Sequence, residues 1–205
     1  MARLSDTNVQ TAREIIGRYP RAKSAAVPLL HLAQEQDGHI TMDAIRHIAE
    51  LVNCTPAEIL GTCTFYEMFK MEPVGKYLVN ICGTMSCALM GAEELMHHAE
   101  HKLGVKAGST TPDGLFTLEH AECQAACTEA PCLQVNYRHR YRVTPAELDQ
   151  LLDDLAEGKL DAEIPPHGTL GRNRQHIPAD RGVGAVPPEQ VSTPPAWLAS
   201  NEAPK

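Results

Sequence analysis

Four residues separate Cys82 from Cys87, three separate Cys123 from Cys127, and 35 residues lie between the two pairs. Thiols are soft ligands, and a tetrahedral sulfur cage draws them from separate chain segments that converge. A 2Fe–2S cluster asks for four thiolates, two on each iron, so electron transfer is the leading chemistry for this pattern. A structural zinc site also takes four cysteines, usually with a compact knuckle at each pair, and stays open as the alternative from another class: a zinc-stapled adaptor. Disulfides are disfavoured. Met1 to Pro20 carries acids and bases throughout, without the apolar run of an export signal, and the cysteine count of seven is odd, which together predict a reducing compartment.

Histidines offer a second set of donors. His97 and His101 stand four apart, as metal ligands on a helix can, but they share their face with Glu93, Glu94 and Glu100, opposite the leucines, and read as a solvated surface. A Rieske-type centre would use only two cysteines, and here four are suitably paired.

Two folded parts must position the cysteine segments. From Thr7 to Phe69 apolar residues recur at helical spacing: Val9, Ala12, Ile15, Ile16 and Tyr19, then Leu29, Leu30, Leu32 and Ala33 before a stop at Gly38. Thr41 is placed to cap a helix whose apolar face is Ala44, Ile45, Ile48, Ala49 and Val52. Thr55-Pro56-Ala57-Glu58 is a capping box with proline at the first helical position. Residues 1–72 therefore read as an N-terminal helical bundle.

Met71 to Gly75 breaks that pattern, and Lys76 to Ile81 alternates as a strand running straight into Cys82. After a loop, Gly83 to Ser86, one helix is predicted, with Cys87 near its start, Leu89, Ala92, Leu95, Met96, Ala99 and Leu103 on one face, and Gly104 just past its end. Leu115 to Glu122 reads as a strand that delivers Cys123. Leu133 to Tyr137 and Tyr141 to Val143 read as a hairpin turning at Arg138-His139, and a helix capped by Thr144 closes the unit through Leu148, Leu151, Leu152 and Leu155. Strand, helix, strand, hairpin, helix over residues 73–157 is the order of a thioredoxin-like α/β sandwich whose first loop carries the chemistry. A redox-active thioredoxin would carry Cys-x-x-Cys there; this chain does not, and the longer loop suits a cluster. The fold class is α+β.

From Gly158 the apolar periodicity ends and eight of the fifteen prolines fall in the last 48 residues, which predicts that residues 158–205 form an extended or disordered tail unless a partner holds it. Trp197-Leu198 is a candidate docking spot there, an exposed aromatic being the plainer reading. The net charge of −8 argues against a nucleic-acid surface, and no apolar run approaches the ~18 residues that span a bilayer. Proteins are the expected partners. No Gly-x-Gly-x-x-Gly opens a helix after a strand, so a nucleotide or flavin must belong to another chain.

Val74-Gly75-Lys76-Tyr77, Ile81-Cys82-Gly83-Thr84-Met85-Ser86-Cys87, Gly91-Ala92-Glu93-Glu94-Leu95, the run Thr111 to Leu118, and Cys123-x3-Cys127-x3-Pro131 together resemble the thioredoxin-like 2Fe–2S subunit of respiratory complex I. The likeness also reaches Leu29 to Gln34 and Thr64-Phe65-Tyr66, and covers about residues 8 to 157. It implies that Cys82, Cys87, Cys123 and Cys127 hold a 2Fe–2S cluster and that no residue of this chain is itself catalytic. It implies a partner subunit that binds FMN and NADH, a further iron–sulfur subunit, and a peripheral place on the cytoplasmic side of a membrane, or the matrix side in an organelle. The diaphorase subunit of an NAD-linked hydrogenase or formate dehydrogenase is the nearest alternative. A free-standing ferredoxin would not need the first 70 residues. The chain departs from the family at Ala125-Ala126-Cys127, where glycines are common, and at Cys132, where an aliphatic residue is usual. Cys132 reads as a small inward-facing apolar side chain, and Cys54 and Cys63 as bystanders. The hydroxyls of Thr84, Ser86 and Thr128 are candidate donors to sulfur.

Overall fold

A computed structural model describes residues 3–169, all within one unit of the chain. Four helices come first: α1 (Asp6–Ile16), α2 (Ala26–Asp37), α3 (Met42–Val52) and α4 (Pro56–Phe65), with a short 3₁₀ turn at Ala22–Ala25. Local chemistry sets their ends. Ser5, Thr41 and Thr55 accept from the backbone N–H three residues on, Thr55 and Glu58 complete the capping box, and Gly38 closes α2 in the left-handed region at φ 75°. The predicted face of α3 is buried throughout and meets Leu29, Leu30, Ile59 and Cys63 in one core. Each buried Leu or Ile there contributes about 1.5–3 kcal/mol. α1 ends at Ile16, short of Tyr19, which is 40% exposed.

The second part is a five-stranded sheet in the order β2-β3-β1-β4-β5, made of β1 (Tyr77–Cys82), β2 (Ser109–Thr110), β3 (Phe116–Ala121), β4 (Leu133–Val135) and β5 (Arg138–Arg140). β1 is central, parallel to β3 and antiparallel to β4. Two further helices flank the sheet after a short one, α5 (Met85–Leu89): Tyr77, Val79 and Ile81 pack against α6 (Ala92–Leu103) and α7 (Pro145–Ala156) through Leu95, Ala99, Leu148 and Leu152. Among the described residues no helix is long and apolar enough to cross a membrane.

Two local expectations are corrected. The single helix after the first loop is two, α5 and α6, parted at Gly91, whose φ of 94° only glycine adopts easily. Leu89 thus falls off the buried face and is 83% exposed. The hairpin turns at Asn136-Tyr137, not Arg138-His139; both turn residues have positive φ, 46° and 65°, which a two-residue hairpin of this type demands. Asn136 is suited to it and is tied down on all sides. Its Oδ1 accepts from Leu78 N at 2.8 Å, and its Nδ2 donates to Lys76 O and Pro165 O, both at 2.9 Å.

Residues 158–169, assigned by composition to the tail, lie against the sheet unit. Ile164 is fully buried in its core, Lys76 pairs with Asp161, and His167 N–H donates to Lys76 O. The rest of the tail, including Trp197-Leu198, lies outside the described residues.

Candidate metal centre

Parallel pairing of β1 with β3 brings two cysteine segments to one end of the sheet. Cys82 ends β1 opposite Ala121, and Cys123 follows β3 by two residues. Cys82 turns straight into the loop that starts α5, so Cys87 returns to the same end. Gly83 at the start of that loop leaves room for the His120 ring of β3, which a Cβ there would meet.

Cys82 and Cys87 are each 2% exposed, whereas Cys123 and Cys127 are exposed, the latter opening a 3₁₀ turn at Cys127–Glu129. The structure brings Cys82 and Cys87 together with a third thiol, Cys132, all three sulfurs lying within 4.8 Å of one another. Cys123 and Cys127 stand outside that group. Cys132 is 1% exposed, as an inward-facing residue should be, and its Sγ lies 3.6 Å from Cys87 Sγ. From the sequence it is a competing ligand at most, with an inward-facing apolar role preferred. The one hint is its place immediately before β4, whose antiparallel pairing with β1 sets it beside Cys82.

Burial raises the Cys82 thiol, but the backbone N–H groups of Gln124 and Thr84 and the thiols of Cys87 and Cys132 outweigh it, leaving Cys82 below the usual thiol range. Burial, with the neighbouring Cys82, pushes Cys87 up. Burial also pushes Cys132 to about 12 and Cys63, in the helical core, to about 11. Ala125 N–H donates to Cys123 Sγ at 3.4 Å. Backbone groups and thiols thus reach sulfur, while among the described residues the hydroxyls of Thr84, Ser86 and Thr128 do not. Cys63 is fully buried in the helical core and Cys54 packs against that core, a cluster separate from the one that holds Cys82, Cys87 and Cys132. His97 and His101 are exposed on α6.

An all-thiol donor set, partly buried and served by backbone N–H groups, fits an iron–sulfur cluster. Beside it a cleft of about 780 Å³ runs between residues 64–70 and the sheet, lined by Lys70, Asn80, Glu119, Cys123, Gln124 and Tyr137 among others.

A model of the family described as thioredoxin-like [2Fe-2S] ferredoxin matches residues 12–156. An NADH-quinone oxidoreductase subunit of Mycobacterium tuberculosis (strain ATCC 25618 / H37Rv) is 42% identical over 144 residues, 70% of this chain and 57% of that protein. The chain thus spans little more than half the length of this mycobacterial relative. An NADH-quinone oxidoreductase subunit of Thermus thermophilus is 40% identical over 167 residues, which covers 80% of this chain and 92% of that one. Among solved structures, an NAD+-reducing [NiFe]-hydrogenase in its air-oxidized state shares the fold, with a TM-score of 0.60 at 20% identity over 69% of this chain and 24% of the other.

Proposed function

The chain belongs to the thioredoxin-like [2Fe-2S] ferredoxin family, and from that premise we propose that it is the electron-carrying subunit of an NADH:quinone oxidoreductase, with Cys82, Cys87, Cys123 and Cys127 holding a 2Fe–2S cluster. A cluster of this kind takes up and releases single electrons. The chain's own residues hold it, screen it and set its potential. Cys82 and Cys87 form the buried side, with backbone N–H groups of Thr84 and Gln124 directed at Cys82. The segment with Cys123 and Cys127 forms the exposed side, open to a partner. FMN and NADH belong to that partner, and a further iron–sulfur subunit carries the electrons on. In the same reading residues 1–72 clamp the partner, 73–157 hold the cluster, and the tail begins beyond the stretch to residue 169 that lies against the sheet. The assembly sits on the cytoplasmic side of a membrane.

The observation that carries this reading is the convergence of Cys82 and Cys87 at the end of β1 where β3 delivers Cys123. The kinship with quinone-linked NADH oxidoreductase subunits at about 40% identity favours that assembly over a hydrogenase, where the likeness is one of fold. The test is serine substitution at each of the seven cysteines, read by iron content, visible colour and the paramagnetic signal after reduction. Iron is lost at Cys82, Cys87, Cys123 and Cys127 alone. A colourless, zinc-bearing wild type overturns the reading.

A further inference from the structure

Cys132 stands outside the proposed ligand set, yet its Sγ lies 3.6 Å from Cys87 Sγ. Its position is dictated by the sheet. It directly precedes β4, its carbonyl accepts Cys82 N–H at 3.2 Å, and Leu133 faces Ile81 across the ladder. With 1% exposure, its side chain packs in a small cluster with Cys82, Cys87 and Ala92.

An aliphatic residue would fill that space as well. A cysteine adds one property, a polarisable S–H donor. Two acceptors lie in reach, Cys87 Sγ and Gln124 Oε1, each 3.6 Å from Cys132 Sγ. The Gln124 amide is itself held in place, since its Nε2 donates to Asn80 O at 2.8 Å. A bond to an ionised acceptor is roughly twice as strong as one to a neutral acceptor, so a metal-bound Cys87 thiolate outcompetes the amide oxygen for this proton.

Taking Cys87 as a cluster ligand, as the proposed function does, we propose that Cys132 is a positioning residue: its thiol donates to the Cys87 sulfur and raises the reduction potential of the centre. Reduction adds negative charge that spreads onto the sulfurs, so a donor directed at one of them favours the reduced state. The ligand count is unchanged.

The experiment compares the cluster-loaded wild-type chain with Cys132→Val, which keeps apolar volume without the donor, and Cys132→Ser, which restores a donor. Redox titration followed by the visible spectrum gives the potential, and resonance Raman in light and heavy water reports hydrogen bonds to the bridging and terminal sulfurs. Expected are full iron content in all three, a lower potential for Cys132→Val, recovery in Cys132→Ser, and a solvent-isotope shift of the iron–sulfur stretch that shrinks only in Cys132→Val. A potential indifferent to residue 132 overturns the inference. Loss of iron in Cys132→Val also overturns it, because Cys132 would then be a ligand. If the valine variant fails to fold, Cys132→Ala, which only vacates space, is read by the same criteria. A wild-type chain that takes up no cluster sinks the proposed function instead, a result distinct from either.

Discussion

Lys70 Nζ lies 2.7 Å from Glu119 Oε2, and the pair joins the chain just after α4 to β3, the strand that leads to Cys123. Both side chains are mostly covered, at 17% and 27% exposure. The same stretch is held from two other sides: Gln34 donates to Met68 O and accepts from Lys70 N, and Tyr137 OH donates to Met68 O. Residues 68–70 are thus the seam between the helical part and the sheet.

A pair so placed is worth more than a surface ion pair and less than a fully buried one. Lys70→Met should cost about 1–3 kcal/mol, because Glu119 then keeps its charge in a covered place without a partner. The double variant Lys70→Met/Glu119→Leu should cost less than the two single changes added together. Urea denaturation of the four species gives the coupling. A coupling of zero would mean that the seam is held by Gln34 and Tyr137 alone.

Asn136 carries a second seam, at the turn between β4 and β5. Asn136→Ala leaves Leu78 N–H and Lys76 O without their buried partner and puts a Cβ-bearing residue at φ 46° with no local compensation, a loss on the order of 3 kcal/mol or more. Asn136→Gly loses the same bonds but relaxes the backbone, and should therefore destabilise less. Thermal melts of both variants separate the two contributions. Equal losses would show that side-chain bonding accounts for everything.

How much of the molecule is legible in the sequence follows the range of the forces involved. The caps at Thr41, Thr55 and Thr144 and the strands leading to Cys82 and Cys123 can be read because they depend on residues three or four apart, or on alternation within one strand. The break at Gly91 escapes such a reading because Leu89 fits the helical period as well as Leu95 does, and only packing decides which is buried. Polarity points to a turn at Arg138-His139, whereas the backbone twist of the hairpin requires a residue tolerant of positive φ, which Asn136 is. Cys132 can be read as inward-facing, but its contact with Cys87, 45 residues away, comes only from strand pairing. Ile164 gives no signal because one apolar residue among prolines makes no period, yet it fills the base of the sheet core.

Acid should loosen the end of the described chain. His167 is largely buried with neither ring nitrogen partnered; burial and then nearby Lys70 bring its pKa from 6.5 to about 4. The folded state therefore holds it neutral while the unfolded chain takes up a proton below about pH 6.5. Its contribution is fully present above that pH and is lost as pH falls from about 6.5 toward 4, to an extent on the order of 3 kcal/mol. His167→Leu should flatten this part of the stability–pH curve. Melting curves at pH 7.5 and 5 for both chains provide the check, and equal slopes would assign the acid sensitivity elsewhere, such as to His31, whose pKa burial also lowers.

Thiol reactivity tests the two-sided character of the cysteine site without any cluster present. Alkylation needs the thiolate and access to it, so exposed Cys123 and Cys127 should react first with iodoacetamide at about pH 8. Cys63, fully buried and pushed to about 11, and Cys132, pushed to about 12, should react last, after local opening of the fold. Cys82 should precede Cys87 despite equal burial, because backbone N–H groups favour its thiolate while the neighbouring sulfur disfavours that of Cys87. Peptide mapping by mass spectrometry over a time course gives the order. Loading with iron and sulfide beforehand should then protect Cys123 and Cys127, the two that are otherwise fastest. Their continued labelling in a fully loaded chain would remove them from the ligand set and leave the three clustered thiols as the sulfur donors.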